Sequence, residues 1–85
     1  MLDARLELNP QVALRPEPFG ALAYNYANRR LVFLKHVDVV RVATSLADHD
    51  TLRGALLACA IRPQRWPSFA TAFASLRAAE VVRER

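Results

Sequence analysis

This chain has one cysteine, Cys59, two glycines, Gly20 and Gly54, and one lysine, Lys35. A lone cysteine excludes an intrachain disulfide and points to a reducing compartment. Two glycines are too few for a phosphate-cradling loop, and there is no P-loop, no Gly-rich dinucleotide turn and no two-Cys metal clip. Long apolar runs are missing too: the longest, Ala55 to Ile61, is far too short to span a bilayer. Residues Met1 to Glu7 lack the apolar core of a secretory signal. The expectation is a cytoplasmic chain with no membrane partner, no metal and no cofactor.

What is present bounds the rest. Eighty-five residues, 53% apolar and 24% charged, make one globular domain spanning 1–85. A chain this short buries only about 60–65% of its extended surface, so its stability is modest. The net charge of +4 is carried almost wholly by arginine, spread from Arg5 to Arg85 with no run longer than Arg29-Arg30. Such dispersal argues against a phosphate-tracking stripe and fits the arginine and alanine richness of a GC-rich genome. Catalytic groupings are scarce. Cys59 falls at an apolar helical position and reads as a small core residue. His36 and His49 lie near opposite ends of one predicted helix, not on one turn. Asp38 and Asp50 suit helix N-termini, where negative charge is favoured. No catalytic residue emerges, and the chain does not read as an enzyme.

Along the chain, residues 1–9 read as a loosely held arm or an entry to the first strand. Strands are expected at Gln11–Arg15, Ala21–Ala27 and Arg30–Lys35, a meander that meets no second sheet. Leu22, Tyr24 and Tyr26 alternate with Ala21, Ala23 and Asn25, the period of two of a half-buried strand. Pro16 and Pro18 remove two donors and are expected to stop the ladder. A helical stripe follows, Val37, Val40, Ala43, Thr44 and Ala47, with Val39, Val42 and Leu46 beside it. Asp50 is the expected N-cap of a second helix carrying Leu52, Leu56, Cys59 and Ala60. A third holds Trp66, Phe69, Ala70, Phe73, Leu76 and Arg77, with Pro67 in its first turn. The tail from Ala79 continues this helix or turns off it. Three strands and then three helices make an α+β fold, with helices on one face of an antiparallel sheet.

Function is expected at an edge. A three-stranded meander has two open edges, and an open edge accepts another chain. The third strand, Arg30 to Lys35, can add a guest strand, with Leu31 and Phe33 on one face and Val32 and Leu34 on the other. Trp66, Phe69 and Phe73 form an aromatic face that serves as core, as groove wall or as both. Arg30, Arg62 and Arg65 are candidates to meet acidic guest side chains at a rim.

Asn9 to Tyr24, with its Arg15-Pro-Glu-Pro-Phe-Gly20 segment, and Asn28 to Lys35, with Arg29-Arg-Leu-Val-Phe-Leu-Lys35, resemble the mycofactocin biosynthesis peptide chaperone (MftB) family. The resemblance covers nearly the whole chain, strongest over 9–35 and weak from 60 onward. The family is similar to the PqqD-type chaperone of pyrroloquinoline quinone synthesis; both are recognition elements for ribosomally made, modified peptides (RiPPs). The resemblance implies a winged helix-turn-helix-like fold. It implies a precursor peptide lying against the third strand and third helix and delivered to a radical S-adenosylmethionine (SAM) maturase. That enzyme decarboxylates the peptide's C-terminal tyrosine and crosslinks it to the preceding valine. The chaperone itself is expected to do no chemistry and hold no iron–sulfur cluster, in keeping with one cysteine. Related domains often end the last helix with glycine. Here Glu80 precedes Val81-Val82, and glutamate resists φ > 0, which argues against a glycine-type C-cap there; the sequence leaves open whether Glu80 ends the last helix or the helix continues and lengthens the groove wall. Monomer and dimer are both compatible with an open strand edge.

A second class shares this topology: a winged-helix DNA-binding regulator. Its recognition helix needs exposed polar side chains that reach base edges. Gln64, Arg65, Thr71, Ser75 and Arg77 supply a few, in a segment dominated by alanine and aromatics.

Overall fold

The computed structural model describes all residues, 1–85. Ten elements follow one another: β1 (Leu6–Leu8), β2 (Val12–Glu17), β3 (Gly20–Asn25), β4 (Leu31–Leu34), α1 (Val37–Ser45), a 3₁₀ turn (Leu46–Asp48), α2 (Leu52–Ala58), a second 3₁₀ turn (Pro63–Arg65), α3 (Trp66–Ala78) and β5 (Val82–Glu84). The fold is α+β, with an antiparallel sheet in the order β2-β3-β4 followed by three helices, in the winged-helix-like arrangement expected. Ala21 and Ala23 of β3 and Leu34 of β4 are buried among the helices. Their neighbours Leu31 and Phe33 are 55% and 56% exposed on the opposite face, as the alternation required.

Pro16 does not stop the ladder: β2 runs through it to Glu17. The Tyr26 N–H donates to the Gln11 carbonyl at 2.8 Å, and the register then places Pro16, opposite Ala21, in a non-hydrogen-bonded pair. Its ring nitrogen therefore faces the free edge of β2, where no donor is required.

The arm at residues 1–9 is the largest departure. Leu6–Leu8 pair antiparallel with Val82–Glu84 in a second, two-stranded sheet, and Leu6 is 1% exposed. Glu7 and Arg83 form an ion pair across it at 2.6 Å. Three residues are too few to show a period, and their partner lies at the far end of the chain. Within α1 the buried positions are Val42 and Ala43, with Leu46 beyond, while Val37 is 52% exposed. The buried stripe therefore joins Ala43 of the expected set to Val42 and Leu46, which flanked it, while Thr44 and Ala47 are exposed. Thr51, not Asp50, caps α2, its Oγ1 accepting from the Gly54 N–H at 3.1 Å.

Glu80 ends α3 rather than extending it. It takes φ 64°; its N–H donates to the Arg77 carbonyl and that of Val81 to Leu76. This is the double bond pattern of a glycine-type C-cap. The strain is held by three asparagines. Asn9 and Asn25 donate their Nδ2 groups to the Glu80 carbonyl at 3.0 and 3.1 Å, and Asn28 donates to its carboxylate at 2.6 Å. α2 ends the same way at Ala60, φ 58°, with Ala60 and Ile61 donating to Leu57 and Leu56. No side-chain bond holds Ala60, so Ala60→Gly is expected to stabilise the fold by about 1 kcal/mol in urea unfolding.

Candidate peptide-binding groove

The edge of β4 is built by its pairing. The Asn25 N–H donates to the Arg30 carbonyl at 3.0 Å, so Asn25–Arg30, Ala23–Val32 and Ala21–Leu34 are the hydrogen-bonded pairs. Leu31 and Phe33 therefore turn their N–H and C=O groups away from β3, and no strand lies beyond them. Across that edge stands α3. Between the two runs a groove of about 770 Å³, lined by residues 30–36 and Val39 on one side and by Ala72, Ser75, Leu76 and Ala79 on the other. The α3 wall is made mostly of small side chains, which leaves room for those of a guest. A second hollow of about 330 Å³ shares His36, Val39 and Ala72 and continues the groove past Ser68, Phe69 and Arg65. From Ser68 to Ala79 the wall spans roughly 16 Å of helix, the length of about five extended residues.

Both ends are fastened. At the Ala79 end, Glu80 is tied to the β3–β4 turn through Asn25 and Asn28. At the other end, Arg65 of the turn before α3 meets Asp38 of α1 at 2.9 Å, and Arg41 meets the same carboxylate at 3.0 Å. The Arg65 hydrogen bond, then that of Arg41, holds the Asp38 carboxyl below its ordinary pKa of 3.8 against a smaller opposing effect of burial. A depressed pKa contributes stability that is complete above the unfolded value and fades as pH falls through the folded one. Asp38→Asn is therefore expected to remove part of the acid-induced loss of stability below about pH 4, read by urea midpoints across pH.

All six residues expected on the third strand, Arg30, Leu31, Val32, Phe33, Leu34 and Lys35, line the groove. Arg65 and Phe69 line its extension, with the guanidinium 5.2 Å from the Phe69 ring. Three other expected residues stand elsewhere. Phe73 is wholly buried and unavailable to a guest. Trp66 lies against Arg53 and donates its Nε1–H to the Ile61 carbonyl at 2.9 Å, bracing the loop before α3. Arg62 is exposed but lines neither hollow. The sequence reading of the peptide site left out Ala72, Ser75 and Ala79, naming Ser75 only for the DNA-binding alternative; their spacing of three and four marks one helical face. Arg29, Arg30 and Lys35, flanking β4, have no acidic partner among the ion pairs. No three His, Cys, Asp or Glu side chains come close enough to share a metal ion, and no helix is long and apolar enough to cross a membrane.

A strand with one unpaired edge, facing a largely apolar helix wall and with free cations at both of its ends, is able to accept an added strand. The model of the peptide chaperone MftB family matches residues 5–83. The chain belongs to that family. A peptide chaperone MftB from Mycolicibacterium smegmatis is 52% identical over 59 residues, 69% of this chain and 58% of that protein. Its counterpart from Mycobacterium ulcerans is 48% identical over 59 residues, 69% of this chain and 54% of its own length. That from Mycobacterium tuberculosis is 49% identical over 53 residues, 62% and 49%. The matched segment thus spans about half the length of these relatives. No solved structure matches the chain. The family match extends through α3 into β5, beyond the strands where the resemblance was strongest, and so takes in both walls of the groove.

Proposed function

We propose that this protein is a peptide chaperone of the cytoplasm that binds the mycofactocin precursor peptide and presents it to a radical SAM maturase. The observation that carries this reading is the unpaired edge of β4 across the groove from α3. A guest adds a strand beside Leu31 and Phe33. Alternate side chains enter the groove against Ala72 and Ser75, and guest carboxylates meet Arg30 and Lys35. Main-chain bonds supply affinity without reading sequence, so the groove and its cations supply selectivity. No catalytic residue is needed: holding guest and enzyme together raises the guest's effective concentration at the active site. The DNA-binding reading is weakened by the engagement of Arg65 with Asp38 and of Arg77 with Glu84, at 2.9 and 2.8 Å. Both would have to exchange a carboxylate for phosphate or base.

Isothermal titration with the precursor peptide, and with random-sequence duplex DNA in parallel, tests the proposal. The expected result is saturable one-to-one peptide binding and no heat with DNA. DNA binding that falls steeply with salt, and no peptide binding with or without the maturase, would reverse the assignment.

A further inference from the structure

The outer face of the three-stranded sheet, turned away from the helices, is apolar and uncovered. Leu31 and Phe33 lie on it, paired with Tyr24 and Leu22 of β3. Phe19, 45% exposed in the β2–β3 turn, packs edge-on against Phe33 with ring centres 6.1 Å apart. Glu17, Phe19, Leu22, Phe33 and Lys35 line an open hollow of about 510 Å³. Glu17 is engaged by Arg15 at 3.3 Å, whereas Lys35 has no carboxylate. The hollow therefore offers apolar walls and one free positive charge.

Strand addition fixes what reaches this face. A guest residue directly opposite a β4 residue projects its side chain to the same face. Residues opposite Val32 and Leu34 point toward α3, and those opposite Leu31, Phe33 and Lys35 point outward. The outward set stands beside Phe33, one strand away from the hollow, within reach of a long or aromatic side chain.

We propose that this outer hollow is a second recognition site for the same guest, taking one large apolar side chain from the guest's solvent-facing set, with a neighbouring guest carboxylate on Lys35. The inference rests on strand addition at β4. It implies that the guest is apolar on both faces over the segment beside Phe33, so that a guest with polar outward residues is discriminated against even where its groove-facing residues fit.

The test is isothermal titration of the full chain with the precursor peptide and with copies carrying single alanine replacements at its large apolar residues. Three variants are compared with the parent. Phe19→Thr removes a wall of the hollow from the β2–β3 turn; it takes the ring away from Phe33 but leaves the β4 backbone edge and α3 unchanged. Phe33→Thr removes the facing wall and keeps a β-favouring residue. Ser75→Leu fills the inner groove. Ser75→Leu is expected to abolish binding, and each of the other two to weaken it about tenfold. One alanine-substituted peptide is expected to lose its own penalty when paired with Phe19→Thr, the signature of direct contact. Parent-like affinity in Phe19→Thr with every peptide, alongside lost binding in Ser75→Leu, would overturn the outer site and leave the groove standing. Parent-like binding in Ser75→Leu as well would overturn strand addition in the groove itself.

Discussion

Replacing Phe33 by proline is expected to leave a folded domain that no longer binds its peptide. The Phe33 N–H points away from β3, so the β3–β4 ladder loses no bond. The protein already carries a proline in the matching situation: Pro16 occupies a non-hydrogen-bonded position on the opposite edge of the same sheet. Stability should fall by only about 1–2 kcal/mol. A guest strand, in contrast, loses a donor and meets the pyrrolidine ring where its own carbonyl must approach. Affinity should fall about 100-fold or more below that of Phe33→Ala, the control for the missing ring. Leu34→Pro should fail to fold, because it removes an N–H bonded to Ala21 and a side chain that is 2% exposed. Equal affinity in Phe33→Pro and Phe33→Ala would mean that the guest does not pair with β4.

Gly20→Ala should cost the fold about 3 kcal/mol or more. Gly20 has φ 152°, a region that residues with a Cβ avoid, and an added Cβ would lie 2.1 Å from the Leu34 carbonyl oxygen and 3.1 Å from the His36 nitrogen. Both are backbone atoms of the β4–α1 junction, so relief requires β4 to move off β3. A domain of this size has on the order of 4–13 kcal/mol in total, and the same movement would disturb the groove. Gly54→Ala is the matched control. Its Cβ would meet nothing closer than the His49 Cβ at 3.5 Å, within the first turn of α2. It should stabilise by up to about 1 kcal/mol. Urea midpoints moving in opposite directions for the two variants would confirm that close approach of backbone, not glycine content, fixes this junction.

The strands β2, β3 and β4 were legible because their signals are local: alternation from Ala21 to Tyr26, and breakers on either side. The open edge followed from strand count alone. Less legible was whatever depends on residues far apart in the chain. β1 and β5 carry three residues each and are held by pairing with one another and by burying Leu6 and Val82 in the core. The glycine-type cap at Glu80 went against expectation for a related reason. The intrinsic reluctance of Glu80 toward positive φ is real, but Asn9, Asn25 and Asn28 converge on it from distant turns and outweigh that local preference. In the groove, strand residues were found because every position of an edge strand lines the edge. Of the aromatic side chains on α3, Phe69 lines the groove's extension while Phe73 fills the core, and the rest of the wall belongs to the small residues Ala72, Ser75 and Ala79. Small side chains signal a site by the space they leave, which only the facing strand reveals.

The most direct test of guest addition at β4 is amide hydrogen exchange, read residue by residue by NMR with and without the precursor peptide. In the free protein, Val32 and Leu34 should be protected by their bonds to β3, while Leu31 and Phe33 exchange quickly. Saturating peptide should protect Leu31 and Phe33 and leave Val32 and Leu34 as they were. Peptide that binds while Leu31 and Phe33 continue to exchange at the free rate would contradict strand addition and move the guest to another surface.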